Sequence, residues 1–189
     1  MEVENEIRFL EINPEAFEKK LIELGAVCKM KDAKQVRYVY DFKPADPNKW
    51  IRLRTNGEKT TLTIKKIVNN GISGTQEWEI EVSDLEETNK ILNMLGYVSR
   101  SRQENIRSMY IFEGVEISID RWPLIPAYAE LEAKEIEDIK RIIAKLKLDM
   151  SKATTLDVAS VYKQIYGIDI MKMPELKFGE KNENMLECD

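Results

Sequence analysis

Short segments of this chain alternate polar and apolar residues with period two, and within each segment the polar residues tend to carry one kind of charge. Period two is the mark of a β-strand with two unlike faces. The segments are roughly residues 2–10, 35–41, 50–56, 60–68, 75–82, 98–102, 106–112, 115–121 and 128–134. Glu2, Glu4, Glu6 and Arg8 share one face of the first, with Val3, Ile7 and Phe9 on the other. Arg52 and Arg54 oppose Ile51 and Leu53, and Thr61, Thr63 and Lys65 oppose Leu62 and Ile64. Glu77, Glu79 and Glu81 oppose Trp78, Ile80 and Val82. Glu116, Ser118 and Asp120 oppose Val115, Ile117 and Ile119, and Glu130 and Glu132 flank Leu131.

A sheet with one solvated face would explain any one of these strands. It explains the set less well, because exposed ion pairs contribute little and do not demand strands of pure acid or pure base. A closed eight-stranded antiparallel β-barrel, with a charged lumen and its apolar face packed outward against helices, accounts for the segregation. The fold class expected is therefore α+β, mainly antiparallel β.

Turn residues punctuate the strands at Asn56-Gly57, Asn69-Asn70-Gly71 with Ser73-Gly74, and Glu113-Gly114. Asn13-Pro14-Glu15 reads as a helix cap with proline in the first turn, and Phe17, Leu21 and Leu24 lead to Gly25. Ser83 with Glu86 has capping-box spacing before a helix that ends at Gly96. Residues 136–148 carry Ile139, Ile142, Ile143 and Leu146 at helical spacing, and a last helix is expected from Thr155 to Tyr166. No linker or repeat divides the chain. Residues 1–170 are expected to form one domain, and 171–189 a loose, charged tail.

The chemistry is narrowed by what is missing. The chain has no histidine, which removes serine–histidine and cysteine–histidine nucleophiles and histidine metal sites. Any metal would be hard and oxygen-ligated. Lys and Arg total 29 against 34 Asp and Glu, a net charge of −5, so general nucleic-acid binding is not expected. No run approaches the roughly 18 apolar residues of a membrane span. The acidic start MEVENEIRFLEI is unlike a signal peptide, and only Cys28 and Cys188 occur, so a reducing cytoplasm is the expected setting. Within a charged lumen, carboxylates two residues apart on a strand can share a hard cation. Arginines at the same spacing can grip phosphate oxygens bidentately, and phosphoryl transfer needs little more than positioning and charge neutralisation.

Several of these segments resemble, in order, the motifs of the CYTH domain, or triphosphate tunnel metalloenzyme, family. Glu4-Asn5-Glu6-Ile7-Arg8 is similar to its ExExK signature, with Arg8 where lysine is usual. Tyr38-Val39-Tyr40-Asp41 resembles its YYD strand end, Trp50-Ile51-Arg52-Leu53-Arg54 its LRxR strand, and Leu62-Thr63-Ile64-Lys65 its lysine strand. Glu77 to Glu81, Arg107-Ser108-Met109-Tyr110 through Gly114 to Asp120-Arg121, and Tyr128-Ala129-Glu130-Leu131-Glu132 complete the likeness. Asn105-Ile106 replace the lysine commonly seen just before the equivalent of Arg107.

The resemblance implies a divalent-metal-dependent triphosphatase acting on tripolyphosphate, thiamine triphosphate or a nucleoside triphosphate, with Mg²⁺ or Mn²⁺ as cofactor. Carried over by position, Glu4, Glu6, Glu130 and Glu132 would be metal ligands; Arg8, Arg52, Arg54, Lys65 and Arg107 would bind substrate; Glu79, Glu81 or Asp120 would orient or deprotonate water. Glu2/Glu4 is an alternative pair to Glu4/Glu6, but only the latter has a base two residues on. A class IV-type adenylyl cyclase ranks lower, because the family's bacterial cyclases share a histidine-containing segment that is absent here. A non-catalytic polyphosphate or nucleotide binder stays open, as does a homodimer. Trp78 and Phe9 read as packing residues, Trp122, Pro123 and Tyr128 as a candidate tunnel mouth, and Lys152 and Lys163 as surface or substrate contacts.

Overall fold

The alternating segments form strands in the computed structural model, which describes residues 2–179, residues 2–4 through their backbone alone. The long strands are β1 Glu2–Phe9, β2 Val27–Asp41, β3 Lys49–Thr55, β4 Thr60–Ile67, β5 Thr75–Val82, β6 Ser101–Phe112, β7 Val115–Arg121 and β8 Tyr128–Ala133. Two short ones, β9 Ala153–Thr154 and β10 Glu175–Leu176, are added near the end. Neighbours run β10-β6-β2-β3-β4-β5-β1-β8-β7, and β6 pairs with β7 as well. Every pairing is antiparallel except that of β10 with β6.

The wall is weakly joined at one seam. β5 meets β1 only where Thr75–Glu77 lie opposite Glu4–Glu2. Past that point the same side of β1 is occupied by Ile72, whose carbonyl accepts from the Glu6 amide, and by β9, which faces Arg8 and Phe9. Among the described residues nothing of β1 lies opposite 78–82, which pair with β4 alone. The expectation of a fully closed barrel is corrected to a strongly curled antiparallel sheet, and the cause is the register of β1.

The apolar faces turn outward, as the alternation requires. Ile7, Phe9, Ile117, Ile119 and Leu131 pack with Phe17 and Leu21 of α1 (Pro14–Glu23) and with Ile139, Ile142 and Leu146 of α3 (Ile136–Leu146). Tyr40, Ile51 and Leu53 pack with Leu92 of α2 (Leu85–Met94). Removing these side chains from water is the main stabilising term, roughly 1.5–3 kcal/mol for each fully buried large one. Asn13 caps α1 by accepting from the Ala16 amide at 2.8 Å. Gly25 and Gly96 close α1 and α2 at φ +88 and +89, where a side chain would be strained.

Four local expectations change. β2 begins at Val27 rather than near residue 35; irregularities between Cys28 and Ala33, with Asp32 at φ +46, scramble its alternation. The segments at 98–102 and 106–112 belong to one strand, β6. The expected last helix is a single turn, Val158–Ser160, continued by a wider π-helical turn, Val161–Ile165. Of residues 171–189, expected to be loose, 171–176 pack in place, with Leu176 buried and β10 along Arg102 and Gln103, and 180–189 lie outside the described residues.

Candidate functional site

Since the apolar faces turn toward the helices, strand period places the charged residues on the opposite side, where Glu6, Arg8, Arg37, Arg52, Arg54 and Glu130 line a common cavity of about 1020 Å³. Its two sides differ in charge. β1, β8 and β7 contribute carboxylates, with Glu6 opposite Glu132, Glu132 opposite Glu116, and Arg8 opposite Glu130. β2 and β3 contribute cations, with Arg37 directly opposite Arg54.

On the acidic side the carboxylates are engaged by arginine. Arg8 contacts Glu6 at 3.1 Å and Glu130 at 2.6 Å and donates to the Leu156 carbonyl at 2.8 Å. Arg107 donates to both oxygens of Asp120, at 2.9 and 2.7 Å, and approaches Glu130 at 3.4 Å. Burial pushes the Glu130 carboxyl up, but Arg8, Arg107, Lys65 and Arg52 outweigh it and hold the group at about 2. Burial lowers Arg8 and Arg107, but Glu130 and Glu6 outweigh it for Arg8, and Asp120 and Glu130 for Arg107, so both are raised. At neutral pH all three groups are held in their charged forms.

The basic side is incompletely neutralised. Burial, then Arg52 and Arg107, bring the Arg37 guanidinium down to about 9. Its partners are neutral: Gln35, Asn105 and the face of Trp122 at 4.5 Å. Arg54 makes no hydrogen bond or ion pair to any described residue, and Arg52, burial, Arg107 and Arg37 lower it well below its ordinary value. Like charges directly opposite across a ladder are destabilising. The indole Nε1 of Trp122 and the hydroxyl of Tyr128, both buried and both lining the cavity, have no acceptor among the described residues. Buried donors without acceptors cost about 1–3 kcal/mol each. An acceptor-rich anion satisfies the cations and the donors together.

The expected site residues divide by position. Glu6, Arg8, Glu130, Arg107 and Asp120 form one chain of contacts. Arg52, Lys65, Glu77 and Glu79 form a second, in which Lys65 pairs with Glu77, Arg52 lies 3.8 Å from Glu77, and Thr63 donates to Glu79 at 2.6 Å. Burial raises the Glu79 carboxyl, but Thr63, Arg52 and Arg54 bring it below its usual range. Glu132 and Glu79 line the cavity. Glu81 sits on the stretch of β5 that β1 does not cover, two-thirds exposed beside Lys59 at 3.3 Å. Asp120 is fully buried behind Arg107, so it anchors that arginine and is not open to a water. Glu4 pairs through its backbone with Thr75, and its side chain lies outside the described residues.

Sequence reasoning passed over Arg37. Its signal was present, since it shares parity with Gln35 and Val39 against the outward Tyr38 and Tyr40.

The donors offered to a metal are all carboxylates, which suits a hard divalent ion. Yet no three acidic side chains among the described residues gather closely enough to hold one. Arg8 lies between Glu6 and Glu130, and Arg107 between Glu130 and Asp120. As they stand, these residues do not form a cation site.

The CYTH domain model matches residues 2–162. No curated protein matches the chain by sequence. Among solved structures it is similar to the PH1012 protein of Pyrococcus horikoshii, at 21% identity and TM-score 0.71, over 82% of this chain and 96% of that one. It is also similar to a candidate adenylate cyclase of Vibrio parahaemolyticus, at 15% identity and TM-score 0.73, over 88% and 99%. A third is HpAC1 of Hippeastrum, a candidate adenylyl cyclase described as having a dominant triphosphatase activity, at 15% identity and TM-score 0.53, over 88% and 96%. At these identities the likeness establishes the fold. No described helix is long and apolar enough to cross a membrane.

Proposed function

The chain belongs to the CYTH domain family, and from that premise we propose that its cavity is a charged tunnel that binds a triphosphate-bearing molecule and hydrolyses it. The observation that carries the reading is the Arg37–Arg54 pair: two guanidinium groups opposite each other, neither in a salt bridge with a carboxylate among the described residues, and both lowered although Asp120 and Glu79 oppose the shift. Such an arrangement costs stability in the free protein and is relieved by a polyanion. The tunnel reading is supported by the strong curl of the sheet, which brings charged residues of β1, β3, β6 and β8 onto one cavity. The triphosphatase described for HpAC1 favours hydrolysis over cyclisation.

In this reading Arg37, Arg52, Arg54, Lys65 and Arg107 take the phosphate oxygens. Guanidinium forks bind two oxygens each and fix the chain of phosphates in line. Positive charge held in place before substrate arrives stabilises the charge that develops on the transferring phosphoryl group. Glu79, open to the cavity and oriented by Thr63, is the carboxylate best placed to orient an attacking water. Enzymes of this family in general use divalent cations; Mg²⁺ and Mn²⁺ are the ones expected here, and the cytoplasm is the setting.

The test is to incubate the purified protein with tripolyphosphate, thiamine triphosphate or ATP, with Mg²⁺ or Mn²⁺, and to follow phosphate, pyrophosphate and cyclic AMP beside calorimetric binding. Phosphate release is expected, reduced at least 100-fold in Arg52→Ala. Binding without turnover would assign a binder, and cyclic AMP with pyrophosphate a cyclase. If none of the three binds, the reading fails.

A further inference from the structure

The acidic wall of the cavity already holds a cation of its own. The Arg8 guanidinium reaches three acceptors at once: Glu6 Oε2 at 3.1 Å, Glu130 Oε2 at 2.6 Å and the Leu156 carbonyl at 2.8 Å. Both it and the two carboxylates are buried, and β9 lies against Arg8 and Phe9 and fixes their backbone from the far side. Oε2 of Glu130 is in ionic contact with Arg8 without an aligned hydrogen bond, so its lone pairs are not fully used. A planar fork can span such a set, whereas the compact ammonium of a lysine is a single point charge on a flexible stem.

We infer that Arg8 is the resident counter-cation of the acidic wall, and that a divalent cation must displace its guanidinium from Glu6 and Glu130 to be held there. Two permanent charges cannot occupy one small buried space, since an uncompensated buried cation is strongly disfavoured. The affinity of the free protein for a divalent ion is therefore set by Arg8, and metal binding and the Arg8 ion pairs are mutually exclusive. The inference rests on the proposed function only in taking this wall as the place where a divalent ion would be used. Its test contains no triphosphate, so its failure would leave polyanion binding standing.

The full-length protein is titrated with Mn²⁺ alone, in buffer free of phosphate, by calorimetry and by the loss of the free-Mn²⁺ electron paramagnetic resonance signal. The wild type is expected to bind weakly, and Arg8→Gln at least tenfold more tightly, with a melting temperature that Mn²⁺ raises. Arg8→Lys keeps the charge but cannot span the three acceptors, so it should show a smaller gain; it decides the matter if Arg8→Gln does not fold. Adding Glu130→Gln to either variant should abolish the gain, which places the ion on this wall. The inference is overturned if neither Arg8 variant binds Mn²⁺ more tightly than the wild type, or if the gain survives the loss of Glu130.

Discussion

Arg37 and Arg54 stand opposite each other on β2 and β3, with Arg52 and Arg107 close enough to weaken the charged form of both. For a base whose folded value is depressed, the unfolded chain binds the proton more readily, so holding the charge costs stability at neutral pH. That cost falls as pH rises through the folded value, about 9 for Arg37. Replacing Arg54 by glutamine removes one charge from the pair without opening a cavity. The ligand-free protein is then expected to gain about 0.5–1 kcal/mol, seen as roughly 1–4 °C in melting temperature for a chain of this size. Affinity for tripolyphosphate should fall at least tenfold, about 1.4 kcal/mol. A variant that melted lower and bound tripolyphosphate as well as the wild type would show that Arg54 serves the fold alone.

Elements were legible where a local rule acted alone. Asn13 with Pro14 marked the start of α1 correctly, because side chain and ring both act within one turn. The start of α2 was misplaced by one residue: the Glu87 amide is taken by Asp84, at 2.8 Å, and not by Ser83. Asp84→Ala should therefore cost about 1 kcal/mol in urea unfolding and Ser83→Ala close to nothing; equal effects would mean that the two residues share the cap. Strands read from parity alone, because a buried face selects every second residue. Where bulges shift the register, as between Cys28 and Ala33, parity fails and the first third of β2 was invisible. The same limit explains β5. Its alternation is regular to Val82, but no pattern within β5 reports that β1 covers only its first three residues. The candidate site was legible as a set of like faces. The neutral partners of Arg37 and the burial of Asp120 behind Arg107 were not, since each depends on which strand lies next to which.

Taken whole, the molecule has an acidic wall and a basic wall, and within the acidic one Glu130 joins Arg8 of β1 to Arg107 of β6. Its carboxyl is held at about 2 against an ordinary 4.5, so the folded state binds its proton less readily than the unfolded chain does. Stability from this group is therefore complete above about pH 4.5 and is lost as pH falls toward 2. The shift corresponds to about 2–4 kcal/mol for a group so fully buried. Protonation there does more than remove one pair. It leaves Arg8 and Arg107 facing a cavity that already holds Arg37, Arg52 and Arg54, so the cations repel one another across it. Glu130→Gln imposes the same loss at every pH. The gap in unfolding free energy between wild type and Glu130→Gln, measured in urea, is expected to be widest at pH 7, to narrow below about pH 4.5 and to close only as pH nears 2. Carboxylates elsewhere titrate in both proteins and cancel from the difference. A gap that stayed constant from pH 7 to pH 2.5 would mean that Glu130 is not the ionised link between Arg8 and Arg107, and that packing holds this part of the wall.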